Sequence, residues 1–277
     1  MNSERKTSIL VLRIVICILI ICVIFIGIYK WKNMNVRPQD TSIGFVGTGT
    51  VDNPYLINTA DDLLKLYSAV ADGNTFQNAY FKQTSNIDLS EVDNWMPIGE
   101  KGSGYYFEGT YDGAGHYLTN LNINGFELGS SQVGLFGQLS GTVCNLGIES
   151  GLIIGDYIGS IASHAGSPDA LIINCYNKAT LISTDRCGGI ADNFGTGKIV
   201  CCANYGELEG KQIGQIASFN AGVIYGCFGN GNLIFSDIFT GEVIQSFETA
   251  NEPSEMNDIL YEAEGIYTSG EFKLIKW

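Results

Sequence analysis

Between residues 133 and 235 the apolar positions come in short patches interrupted by glycine, without the i, i+3, i+4, i+7 spacing of an amphipathic helix. The patches recur. VGLFG (133–137) returns as IGSIA (158–162), CGGIA (187–191) and IGQIA (213–217), at intervals of 25, 29 and 26 residues. Each copy reads apolar–Gly–x–apolar–small. A gapless alignment adds three columns: Val143, Ile172, Ile199 and Ile224; then Leu146, Cys175, Cys202 and Cys227; then Leu152, Leu181, Leu208 and Leu233. A repeat of roughly 25 residues made of short strands predicts one coil of a parallel β-helix, with equivalent side chains stacked ~4.8 Å apart. Such a solenoid is expected to wind right-handed, as parallel crossovers do. The apolar positions around each glycine are three apart rather than two, which breaks strand alternation. Gly134, Gly159, Gly188 and Gly214 are therefore expected at corners, where glycine permits a bend.

Other patterns frame the repeats. Ile9 to Tyr29 is apolar apart from Arg13, and 21 residues at ~1.5 Å each reach about 30 Å, the thickness of a bilayer core. No small-residue cleavage site follows it, so an uncleaved single-pass anchor is expected, with residues 38–277 extracytoplasmic. TADDLLKLYSAVADG (59–73) predicts a helix with Thr59 as N-cap, Leu63, Leu64, Tyr67, Val70 and Ala71 on one face, and Gly73 as its stop. It would cover the open first coil. PSEMNDILYEAEG (253–265) predicts a second capping helix at the other end. The organisation expected is a tail and anchor over 1–30, a linker over 31–43, an N-terminal cap and first coils over 44–132, repeats over 133–245, and a C-terminal cap over 246–277. The fold class is all-β.

Charge and cysteines narrow the function. Residues 38–277 carry 9 basic and 28 acidic side chains, a net of −19 that repels nucleic acid and anionic headgroups. Apart from the membrane crossed by residues 9–29, neither is an expected partner. Cys187 falls in the column of Val133, Ile158 and Ile213, and Cys175, Cys202 and Cys227 share a column with Leu146. They stand in for aliphatics, as free cysteine does in a core. No C-x-x-C pair occurs and the only histidines are His116 and His164, so no zinc site is expected.

Few residues suggest chemistry. Asp112 and His116 lie close together in YDGAGH, but Asp112, Gly113 and Gly115 are turn chemistry. His164 falls in a variable loop column. Asp156 and Asp185 both sit three residues before a corner glycine, which would place them on adjacent rungs about 5 Å apart. That is near the carboxylate separation of retaining glycosidases, and the pair would also suit Ca²⁺. Asp is equally favoured there simply as a turn residue. Tyr157 beside them would suit a sugar ring. No cofactor is otherwise expected. H-E-x-x-H, G-x-S-x-G and P-loop signatures are absent. The enzymatic alternative on this architecture, a β-helix polysaccharide lyase, needs bases that residues 133–235 supply only as Lys178, Arg186, Lys198 and Lys211.

Before the repeats run GTGTVDNPYLINTADDLLKLYSAV (47–70), YFKQTSNIDLSEVDNWMPIG (80–99) and FEGTYDGAGHYLTNLNI (107–123). With VGLFGQLSGTVCNLGIESG, these resemble the GLUG-motif proteins of bacterial cell surfaces over residues 44 to about 235. The resemblance implies a parallel β-helix with an N-terminal cap, of the kind found in adhesin-like proteins and in non-catalytic regions of some surface metalloproteases. The expected function is a non-catalytic, membrane-anchored binding module for a surface glycan or protein. The alternatives are a β-helix carbohydrate-active enzyme and a purely structural surface domain.

Overall fold

The computed structural model describes residues 44–99, 105–229, 242–244 and 274. The Ile9–Tyr29 anchor, the 253–265 helix and Leu233 lie outside these. Among the described residues no helix is long and apolar enough to cross a membrane.

The described chain winds as a parallel β-solenoid with four stacked sheets. The first sheet holds eight strands in sequence order: Tyr55–Ile57, Tyr80–Gln83, Thr110–Asp112, Thr142–Cys144, Leu171–Ile173, Lys198–Val200, Val223–Tyr225 and Glu242–Ile244. The second runs from Ile87–Asp88 to Phe228–Gly229, and the fourth from Phe136–Gln138 to Ala217–Asn220. The third contains the two nine-residue strands, Gly151–Gly159 and Thr180–Gly188. All the strand pairings are parallel, and each strand lies beside the equivalent strand of the coil before or after it. Eight strands, seven steps of ~4.8 Å, span about 34 Å. The segment before the first glycine repeat supplies three of them.

The predicted columns are largely those observed. Tyr55, Phe81, Tyr111, Val143, Ile172, Ile199 and Ile224 form one continuous inward ladder. Val133, Ile158, Cys187 and Ile213 form another, next to Gly134, Gly159, Gly188 and Gly214. In the first copy Leu152 and the run from Phe136 to Leu139 are off by one residue, Phe136 rather than Gly137 pairing with Ala162. Ile153, not Leu152, pairs with Leu181 and Leu208, because Glu149–Gly151 holds one residue more than the matching turn of the next coil. Leu152 consequently faces out and is 39% exposed. Gln138, not Leu139, pairs with His164, because the corner after Gly134 is one residue shorter than the corner after Gly159.

Gly134, Gly159 and Gly188 work at their corners by close approach rather than by an unusual backbone angle. Gly134, Gly159, Gly188 and Gly214 are not among the glycines with positive φ. A Cβ on Gly159 would stand 2.1 Å from Ala162 O, and one on Gly188 1.7 Å from Ala191 O. The chain folds back so tightly there that only a hydrogen fits.

Helix α1, Ala60–Ala71, begins as expected: the Thr59 hydroxyl accepts from Asp62 N–H and the Asp62 carboxylate returns to Thr59 N–H, a capping box. Its buried face is Leu63, Leu66, Ala69 and Val70, with Leu64 and Tyr67 at the margin, while Ala71 is exposed. The core changes character along the axis. Near α1 it is aromatic, with successive rings of Tyr55, Phe81, Phe107 and Phe136 5.2–5.8 Å apart. Towards the later coils aliphatics and cysteines take over. The six described cysteines are buried and unbridged.

Candidate functional site

Asp156, Tyr157 and Asp185 lie on the two long strands of the third sheet, whose register breaks between Gly155 and Tyr157. Gly155 pairs with Ser183, but Tyr157 pairs with Arg186, so the second strand carries one extra residue. The bulge places Asp156 across from Thr184 as well as Asp185. The Asp156 carboxylate accepts from the Thr184 hydroxyl. The Ser183 hydroxyl donates to Asp156 O at 2.7 Å and accepts from Asp185 N–H at 3.0 Å. The Asp185 carbonyl accepts from Lys211 N–H. The two aspartates, on adjacent rungs, therefore flank a bulge stitched by Ser183 and Thr184. Bulges concentrate beside functional sites because the extra residue re-aims neighbouring side chains.

Tyr157 is not an open platform. The Arg186 guanidinium lies over its ring at 4.7 Å, a cation–π stack. Arg186 also donates from Nη2 to Asp192 Oδ2 at 3.1 Å. Asp192 is fully buried, and the Ser218 hydroxyl donates to its other oxygen, Oδ1. Burial pushes the Asp192 carboxyl up to about 6, against the pull of Ser218 and Arg186. The same carboxylate, with burial as the larger cause, lifts the Cys187 thiol to about 12. Sequence reasoning missed Arg186 and Asp192, since an acid in IADNF reads as another turn residue. The signal available was position: Asp192 follows Ala191, whose column is buried in every coil.

The other candidates resolve into structure. Asp112 Oδ1 accepts from Ala114 N–H at 2.9 Å and from Asn145 Nδ2 at 2.8 Å, while His116 Nδ1 stands 3.2 Å from Asn86 Oδ1. Their hydrogen bonds diverge, so the turn does not assemble an acid–base pair. Gly113 is needed for space, a Cβ there meeting Asn145 O at 2.4 Å, whereas Gly115 has φ +79°. His164 pairs with Asn193 in the fourth sheet. An open cleft of about 560 Å³ at the far end of the third sheet is lined by Asn204, Tyr205, Glu207, Glu209 and Gln215, and Asn204 donates to Gln215 across it at 2.7 Å. Among the described residues no three His, Cys, Asp or Glu side chains are placed to hold a metal ion.

Against known proteins, no family model matches the chain. It is 28% identical over 161 residues to halomucin of Haloquadratum walsbyi, covering 53% of this chain and 2% of halomucin. It is 34% identical over 145 residues to a protein of Evansella cellulosilytica provisionally named a Gly-rich membrane protein, covering 50% of this chain and 15% of that one. The chain thus spans a small fraction of either relative. Among solved structures, a crystal structure of a provisionally named immunoglobulin A1 protease from Bacteroides ovatus superposes with a TM-score of 0.52, over 72% of this chain and 76% of that one. At 21% identity that likeness is one of fold, the parallel solenoid described above.

Proposed function

We propose that the chain is a non-catalytic binding module of the GLUG type at a cell surface, engaging a glycan or protein through the outward face of the third sheet around Asp156, Tyr157 and Asp185. The observation that carries this reading is the bulge between Gly155 and Tyr157, where two carboxylates and a Tyr–Arg stack gather on one face. The interior supports it. The columns that run through the tube hold aliphatics, aromatics, cysteines and hydrogen-bonded asparagines, the filling of a scaffold. A surface location is supported by the names of the two relatives, one a membrane protein and one a halomucin, and by the apolar Ile9–Tyr29 stretch. A β-helix fold by itself specifies no chemistry.

The test is retention of the full chain, in detergent micelles, on immobilised glycans and cell-wall preparations, with supernatants analysed for released oligosaccharide. Retention without release is expected, reduced at least tenfold by Asp156→Ala at unchanged melting temperature. Release of oligosaccharide would replace this reading with a β-helix carbohydrate-active enzyme. Absence of both on glycans and on protein pull-downs would leave a structural surface domain.

A further inference from the structure

Over its later coils, from Cys144 to Tyr225, the outward side of the first sheet is apolar where an isolated sheet would face water. Strand alternation sends Ile172, Ile199 and Ile224 into the tube and their successors Ile173, Val200 and Tyr225 outwards. With Cys144 and Leu171 these form a stripe across four rungs, joined at its edge by Cys201. Despite pointing away from the core, Ile173, Val200, Cys144 and Cys201 are 0% exposed and Tyr225 is 7% exposed. The outward face of the third sheet behaves differently, with Leu152 at 39%. Something covers this part of the first sheet. Among the described residues, the one from beyond the sheet that packs on the stripe is Leu274, about fifty positions beyond Tyr225.

We infer that the outward face of the first sheet is the docking surface of the chain's own C-terminal segment, residues 266–277, anchored through Leu274. The segment IYTSGEFKLIKW offers apolar side chains for such a surface, and its Lys273 and Lys276 suit a domain that is otherwise strongly acidic. A stripe of this kind left bare would be a site for aggregation or for a second copy, so the segment also serves as its cover. The inference is independent of the binding face on the third sheet.

The stripe carries its own reporters. Cys144 and Cys201 belong to it, whereas Cys175, Cys202 and Cys227 lie in the main core or its inward column. Alkylation of the full chain with iodoacetamide, followed by peptide mass spectrometry, should find all five protected. In a chain ending at residue 265, and in full-length Leu274→Asp, Cys144 and Cys201 should label at least tenfold faster while Cys175, Cys202 and Cys227 stay protected. Unchanged protection of Cys144 and Cys201 in both variants would overturn the inference. So would labelling of all five together in both, which would make the segment part of the fold rather than a cover upon it. If the full chain is a dimer by light scattering and its Cys144 and Cys201 label on dilution to monomer, the occupant is a second copy and the inference also fails.

Discussion

Asn174 donates its side-chain amide to Oδ1 of Asn145 one coil earlier, at 2.8 Å, and Asn145 donates in the same way to Asp112. The two asparagines also share a left-handed backbone, φ +53° and +51°, at the corner between the first and second sheets. One residue type meets both demands, because Asn tolerates that region and its amide is both donor and acceptor. The corner continues through Cys201, φ +48°, to Gly226, φ +61°.

Cys201 is therefore the one side chain in this column that neither relieves the backbone nor extends the ladder. Cys201→Asn is expected to raise stability by about 0.5–1 kcal/mol, through relief of the left-handed strain that other side chains carry. Asn174→Ala should lower it by about 2–3 kcal/mol, from the backbone penalty plus a lost buried hydrogen bond. Urea unfolding followed by circular dichroism measures both.

Register around Ile153 can be read by mutation. Ile153→Ala is expected to cost about 2–5 kcal/mol, the usual range for truncating a buried aliphatic, and Leu152→Ala less than about 1 kcal/mol. A larger cost for Leu152→Ala than for Ile153→Ala would mean that the gapless alignment, with Leu152 inside, is the right one.

The corner glycines should be intolerant for a steric reason. Gly159→Ala puts a methyl 2.1 Å from a backbone oxygen and 2.5 Å from Ala191 Cα, neither of which can rotate aside. A loss of at least about 2 kcal/mol is expected, in line with overpacked cores. Gly129, the left-handed C-cap of helix α2 (Gly125–Leu128), has open space around it. Gly129→Ala should cost only the backbone strain, about 1 kcal/mol, so thermal melts of the two variants separate the mechanisms.

Asp192 gives a pH dependence of unusual sign. Its carboxyl titrates at about 6 when folded, against an ordinary value of 3.8. Between those pH values the native state holds the proton more tightly than the unfolded chain does. The stability contributed by Asp192 is thus highest below about pH 4, falls as pH rises to about 6, and is flat above it. Asp62 and Asp88, whose carboxyls are lowered by hydrogen bonds, act oppositely and lose their contribution as pH falls. Comparison with Asp192→Asn isolates the effect: the stability of wild type relative to that variant should fall across pH 4–6. Arg186→Met removes the one cation paired with Asp192 among the described residues and should cost about 3–5 kcal/mol at pH 7.5, with much of the loss recovered at pH 4.5. Urea midpoints at the two pH values decide it.

How far the fold was legible depends on the physics behind each feature. The Val143–Ile172–Ile199–Ile224 ladder was readable because stacking demands like side chains at equivalent positions, and repetition displays that demand directly. Thr59 was readable as an N-cap because capping is local. Leu152 was misplaced because strand side chains alternate, so one extra turn residue reverses inside and outside without altering the look of the alignment. The neighbourhood of Asp156 and Asp185 follows from spacing, whereas the bulge between them and the Thr184 hydroxyl it brings to Asp156 are properties of strand pairing, which spacing does not encode.

The sequence by itself determined a solenoid of short parallel strands, its repeat length, most of its inward columns and the helix that Thr59 caps, since these follow from periodic burial and local backbone preference. Tertiary structure alone decided that the corner glycines are there for lack of a Cβ. It also decided that Asp112, Asn145 and Asn174 bond across coils, that Arg186 leaves the solvent for Tyr157 and Asp192, and that Leu274 packs on the cluster that holds Ile173, Val200 and Tyr225. Each of those contacts joins residues some six to a hundred positions apart whose partnership depends on how the coils stack. No local pattern marks them, because a turn Asp and a buried Asp, or an inward and an outward aliphatic, are the same letters until the stacking gives them neighbours.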